Sequence, residues 1–192
     1  MALYTETFLK ELNEISKRIR MKSLEMICKR GVGHPGGSLS SADIITALYF
    51  SKLRIDPKNP YLTDRDRFIL SKGHASAALY CALSMRGFYP EDDLDRWGEL
   101  DCHLQGHPDR NKTRGVDCNT GTLGHGISVG VGMLLAARLN NIRYRVYVLL
   151  GDGECQSGII WEGAMAAAKF KLNNLMAILD YNGVQFDGLL KK

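Results

Sequence analysis

The chain is poor in the features that would place it outside an ordinary globular interior. It has five cysteines, Cys28, Cys81, Cys102, Cys118 and Cys155, odd in number, irregularly spaced and without a Cys-x-x-Cys pair. That excludes a disulfide framework and points to a reducing, cytoplasmic setting. No apolar run approaches the ~20 residues of a membrane span. The N-terminal MALYTETFLKEL carries Glu6 and Glu11 and lacks an apolar core followed by a small-residue cleavage site, so it does not read as a secretory signal. No basic run is present: 25 Lys and Arg against 21 Asp and Glu give +4, spread along the chain. This is a mixed solvated surface rather than a nucleic-acid footprint, with a mild bias that suits phosphorylated substrates. Internal repeats and low-complexity segments are also lacking, which excludes a solenoid.

What is present is glycine and a globular apolar content. The 20 glycines of the 192 residues exceed the average usage of about 7%, and 45% of residues are hydrophobic. Residues 1–192 are expected to form a single domain with a real core. Apolar residues at Phe8, Leu12, Ile15, Ile19, Leu24 and Ile27 follow helical spacing, and Gly31 stops the pattern. Ser40-Ser41-Ala42-Asp43 before Ile44 reads as a capped helix start. Arg67–Leu70 is a short strand, residues 73–85 a helix, and Pro90 with Glu91, Asp92 and Asp93 opens a short one. Residues 99–126 form a long loop rich in Gly, Asp, Asn and His. Then follow a helix over 127–139, a buried strand over 146–150, a helix over 159–170 and a second buried strand over 175–180. Strands alternating with helices predict a three-layer α/β/α fold with a mainly parallel sheet.

The run Val146-Tyr147-Val148-Leu149-Leu150 ends in Gly151-Asp152-Gly153-Glu154, and ligands of parallel sheets collect at the carboxyl ends of strands. A dinucleotide fingerprint would need glycine where Gln156 stands, and the Asp152 carboxylate would repel a bare diphosphate. The conflict disappears if a cation lies between them, because a carboxylate and phosphate oxygens together suit Mg²⁺ or Ca²⁺. The next strand ends in Asp180-Tyr181-Asn182-Gly183, so the Asn182 carboxamide and the Val184 backbone carbonyl can complete the metal set. A lone Gly-Asp-Gly would be only a tight turn. Two such turns in adjacent βα positions favour metal-diphosphate binding.

With these residues the chain resembles the thiamine-diphosphate enzymes, whose shared motif is Gly-Asp-Gly, a helix, and an Asn after the following strand. More narrowly it resembles the N-terminal, diphosphate-binding subunit of a two-subunit transketolase, or a fragment of it. The runs that carry the likeness are Gly33-His34-Pro35-Gly36-Gly37-Ser38-Leu39, Ser71-Lys72-Gly73-His74, Gln105-Gly106-His107-Pro108 and Thr120-Gly121-Thr122-Leu123-Gly124-His125-Gly126. They occur in family order over nearly the whole chain.

The resemblance implies thiamine diphosphate with Mg²⁺ (or Ca²⁺) as cofactors. Its contacts are implied at His74, Gly121, Leu123, Gly151, Asp152, Gly153, Glu154 and Asn182, with the metal on Asp152, Asn182 and Val184. His34 and His107, with His74, are the implied catalytic histidines facing the sugar, apt because imidazole titrates near neutrality. The implied reaction transfers a two-carbon ketol unit from a ketose phosphate to an aldose phosphate, as in the pentose phosphate pathway, with the cofactor carrying the carbon–carbon step. His103 and His125 read as structural. A zinc site of Cys102, His103, His107 and Cys118 has a permitted His-x₃-His spacing but no paired cysteines, and is set aside.

Two departures from the family pattern stand out. Gln156-Ser157-Gly158 replaces Gln-Glu-Gly, losing a carboxylate that in the family lies near the subunit interface. The chain also stops at Lys192, where the family's diphosphate domain continues, so the fold is expected to be C-terminally truncated with an exposed sheet edge or apolar face. The expected partner is a C-terminal transketolase subunit bearing the pyrimidine-binding domain, in a homo- or hetero-oligomer, with neither nucleic acid nor membrane involved. The alternatives are a deoxyxylulose-phosphate synthase, an oxo-acid dehydrogenase subunit, or a noncatalytic cofactor-binding or assembly fragment. His34-Pro35-Gly36 with Gly106-His107-Pro108 favours transketolase over the other two enzymes.

Overall fold

Gly31 stops the first helix as the sequence predicts. It takes the left-handed conformation (φ 72°) at the end of α1, Glu6–Arg30, where its N–H reaches the Ile27 carbonyl. The computed structural model describes residues 4–185, 188 and 189. The other α-helices and strands are α2 (Pro35–Ala47), β1 (Arg67–Leu70), α3 (Ser76–Met85), α4 (His125–Leu139), β2 (Val146–Gly151), α5 (Gly158–Lys169), β3 (Leu175–Asp180), and the short strands β4 (Val184–Gln185) and β5 (Gly188–Leu189). Two boundaries differ from expectation. Helix α2 begins at Pro35 rather than near Ser40, because proline suits the first helical position, where its missing N–H costs nothing. The acidic segment after Pro90 is a 3₁₀ turn, Glu91–Arg96.

By their contacts the residues fall into two compact units. One contains the residues up to Leu53 and His74–Gly106, the other Arg54–Gly73 and the residues from His107 onward. The first is helical. Helices α1, α2 and α3 pack on one another around Ile19, Met26, Ile45, Leu79 and Leu83. An ion pair from Arg20 to Asp43 (2.6 Å) joins α1 to α2 and holds the Asp43 carboxyl below its ordinary range.

The second unit is built on a parallel sheet in the order β1-β2-β3, with Arg67 opposite Val146 and Val146 opposite Leu175. Ile69, Val148 and Leu150 join Ile127, Val131 and Leu134 of α4 and Ile160 of α5 in one core. Each such side chain contributes about 1.5–3 kcal/mol by leaving water. Strand β2 is buried along its whole length, as its unbroken apolar run predicts for a central parallel strand. The expectation of a buried β3 is corrected: Met176 and Leu179 are half exposed, because among the described residues β3 has a neighbour on one side only.

The loop before β1 is fixed by a buried ion pair. Asp117 accepts from Arg65 Nη2 (2.5 Å) and from the Phe68 backbone N–H (2.8 Å), while Arg65 also donates to the carbonyls of Pro60 and Asp66. Asp117→Ala would strand a buried guanidinium. We expect a loss of about 3–5 kcal/mol in urea unfolding of the full chain, with much of it recovered when Arg65→Met is added.

Candidate functional site

In the second unit β2 and β3 run parallel and in register, so Gly151 lies opposite Asp180 and both strands deliver their following turns to the same end of the sheet. Asp152 leaves β2 and is nearly buried (8% exposed). Its Oδ1 accepts the Gly153 N–H (2.9 Å) and its Oδ2 the Gly183 N–H (2.7 Å). The second bond ties the Gly-Asp-Gly turn to the turn after β3. There the Asn182 Oδ1 accepts the Val184 N–H (2.9 Å), an Asx turn that fixes the carboxamide. The sequence-predicted metal residues Asp152, Asn182 and Val184 are thus neighbours.

The charges around them are uneven. Lys72, from the Ser-Lys-Gly-His run after β1, is 1% exposed and donates to Asp180 Oδ2 at 2.5 Å. Among the described residues no cation pairs with Asp152, which keeps only backbone N–H partners. A carboxylate retains acceptor capacity after two such bonds. A buried, uncompensated carboxylate beside a fixed carboxamide oxygen is a hard-oxygen set that fits Mg²⁺ or Ca²⁺. Sequence reasoning missed the Lys72–Asp180 pair, and only the position of both residues directly after or within strand ends hinted at it. Among the described residues no group of three or more His, Cys, Asp and Glu converges as a metal site. Cys102 and Cys118 engage backbone groups of Leu104 and Asn119.

Glu154 is buried, its oxygens accepting from Ser71 Oγ (2.5 Å), Gly124 N–H (2.7 Å) and Gly151 N–H (2.9 Å). Next to it, burial and then the charges of Glu154 and Asp152 push the Cys155 thiol up. The Thr120–Gly124 turn leads into α4. Gly121 has φ 153°, and a Cβ there would meet the His107 ring at 3.2 Å, so the turn lies directly against His107. Leu123 beyond it is 43% exposed.

The first unit brings His34 and His74 together, their rings edge-on at 5.2 Å. His34 precedes α2 as its N-terminal cap residue without a side-chain cap bond. The close packing explains a glycine of the His-Pro-Gly-Gly run: a Cβ on Gly37 would stand 2.8 Å from the His74 ring. We expect Gly37→Ala to displace that ring, costing about 1–3 kcal/mol by overpacking. A thermal melt of the full chain checks the cost, and a moved His74 imidazole resonance in NMR checks the displacement.

Residues 12–192 match the family model described as transketolase, thiamine diphosphate binding domain. The chain is 45% identical over 178 residues to the 6-deoxy-6-sulfo-D-fructose transketolase subunit SqwG of Clostridium sp. (strain MSTE9), covering 93% of this chain and 65% of that one. It is 46% identical over 173 residues to an apulose-4-phosphate transketolase subunit of Phocaeicola vulgatus, covering 90% and 61%. It therefore spans a little under two thirds of the length of these relatives. Among solved structures, transketolase from Campylobacter jejuni superposes with a TM-score of 0.86 at 36% identity, over 93% of this chain and 29% of that one. That likeness agrees with the α/β fold and parallel sheet described above. The strand-end clamp, the glycine-rich turn and the match over nearly all of its length lead to one family: the chain belongs to the transketolases, in their thiamine diphosphate binding domain.

Proposed function

We propose that this chain is the diphosphate- and metal-binding half of a transketolase-type transferase, which moves a two-carbon ketol unit from a ketose phosphate to an aldose phosphate. The observation that carries the reading is the Asp152 carboxylate, buried with no cation beside it among the described residues and tied through Gly183 to the turn bearing Asn182. A divalent ion there, held by Asp152, Asn182 and the Val184 carbonyl, would give the carboxylate its countercharge and turn a repulsive wall into a diphosphate site. Bound thiamine diphosphate supplies the nucleophilic carbon that breaks and makes the carbon–carbon bond.

The chain's own residues do the rest. Gly151 and Gly153 bring backbone close to the diphosphate. Gly121 and Leu123 would present the turn to the aminopyrimidine, and Leu123 is exposed. By the family resemblance His74 is assigned to the diphosphate, and His34 and His107 to the sugar, roles that suit imidazoles able to hold or pass protons.

The relatives named as subunits favour a partner chain that bears the pyrimidine-binding domain, in a homo- or hetero-oligomer. Two of them are named for ketoses carrying an acidic group, a sulfonate in one and a phosphate in the other. A ketose with an acidic tail is accordingly the donor class we assign. No helix of the described residues is long and apolar enough to cross a membrane, and five cysteines without a disulfide suit a reducing, cytoplasmic compartment.

Calorimetry of the chain with its partner subunit tests the site. Thiamine diphosphate should bind with Mg²⁺ and fail with chelator. Asp152→Ala should weaken binding at least ~100-fold, the upper end of what loss of a metal's supporting group does, and Asn182→Ala by ~10–100-fold. Binding that is indifferent to chelator and to Asp152→Ala would sink the metal reading. Binding without any ketol transfer in the presence of the partner would leave a noncatalytic assembly chain instead.

A further inference from the structure

Glu154 stands beside the Gly-Asp-Gly turn and is 5% exposed. Its two oxygens are taken up by three donors that belong to three different segments. Ser71 Oγ follows β1, the Gly151 N–H ends β2, and the Gly124 N–H closes the Thr120–Gly124 turn at the start of α4. The two backbone N–H groups fall on different oxygens: Gly124 on Oε1, Gly151 on Oε2. Only a carboxylate meets this demand. A carboxamide in the same place would turn its NH₂ toward one backbone N–H or the other, whichever way it is flipped, because both positions face donors. Ser71 can rotate its hydroxyl to adapt, but a backbone N–H cannot.

We propose that Glu154 is a positioning residue: it holds the Thr120–Gly124 turn in register with the ends of β1 and β2, and so fixes the distance between the two ends of the cofactor site. This rests on the reading that the second unit binds thiamine diphosphate. The diphosphate end is Gly151-Asp152, and the opposite end is the Gly121–Leu123 turn. Glu154 touches the framework of both. The motif alone puts Glu154 among the cofactor contacts. Its bonds put it behind the surface that the cofactor would meet, where it acts through Gly124 and Gly151.

A brace of this kind has a signature that simple destabilisation lacks. A ligand that spans both ends of the site depends on their spacing, whereas one that occupies a single end does not. The experiment uses the full chain with its partner subunit, as wild type, Glu154→Gln and Ser71→Ala. Mg²⁺-dependent binding is measured for thiamine diphosphate and, separately, for inorganic diphosphate. Amide hydrogen exchange of Gly124 and Gly151 is followed without ligand.

Glu154→Gln should raise exchange at those two amides at least ~10-fold while the β2 core amides stay protected. It should also weaken thiamine diphosphate at least ~10-fold more than inorganic diphosphate. Ser71→Ala removes one of the three bonds, should shift both readouts in the same direction by less, and decides the matter if the glutamine variant does not fold. Unchanged exchange, or equal losses for the two ligands, would overturn the proposal. A wild type that binds neither ligand would overturn the cofactor reading instead; the brace would then stand or fall on whether exchange at Gly124 and Gly151 rises in the variants.

Discussion

The arrangement depends on a carboxylate that is buried with no countercharge among the described residues. Asp152 is carried out of water at the end of β2, with two backbone N–H groups as partners and no cation beside it among the described residues. Taking an ionised carboxylate out of water costs several kcal/mol unless opposite charge compensates it. A ligand that brings positive charge therefore binds where the protein has left a deficit, and a metal ion is a suitable carrier for it. The neighbouring Lys72 instead donates to Asp180 Oδ2 at 2.5 Å. The two acidic groups at these strand ends thus have different fates. One is neutralised internally, and one is kept open.

Keeping Asp152 open requires that its surroundings not collapse onto it. The Gly183 N–H holds the turn of Asn182 at a fixed offset, and the Asx turn from Asn182 to Val184 keeps the carboxamide from wandering. On the other flank Glu154 gathers Ser71, Gly124 and Gly151. Charge-assisted bonds such as these are worth more than neutral ones. Buried together they make the loop framework stiff, while Asp152 itself keeps acceptor capacity to offer a ligand.

Much of this is legible in the sequence, for physical reasons that can be named. The β2 run Val146–Leu150 is continuous and apolar because both faces of a central parallel strand are buried, and the same pattern places β3 at 175–180. The apolar run does not say that β3 is open to solvent, since burial of an edge depends on what lies beside it. Serines suit caps and so draw the start of α2 toward Ser40, whereas Pro35 at the first helical position decides the boundary. Asp152 and Asn182 can be paired from spacing alone, as each follows a strand end. The Lys72–Asp180 and Ser71–Glu154 contacts cannot: they join residues 108 and 83 positions apart, and no local pattern reports such a meeting. Glu154 stands out in the sequence only as part of a motif, and its three donors come from three segments.

The parallel register also carries a consequence for the order in which the site comes into being. β2 and β3 are joined by a 3₁₀ turn and one α-helix, so the turns of Asp152 and Asn182 belong to one compact βαβ unit that closes a short loop. β1 reaches β2 only across α3, the long glycine-rich segment and α4. Chain closure over the longer span costs more entropy and is slower. The meeting of the Asp152 and Asn182 turns is therefore an early, local product of folding. The enclosure around Glu154 waits for β1 to dock, and a chain stalled between the two stages would have its acidic strand end in place without yet having the rest of a site around it.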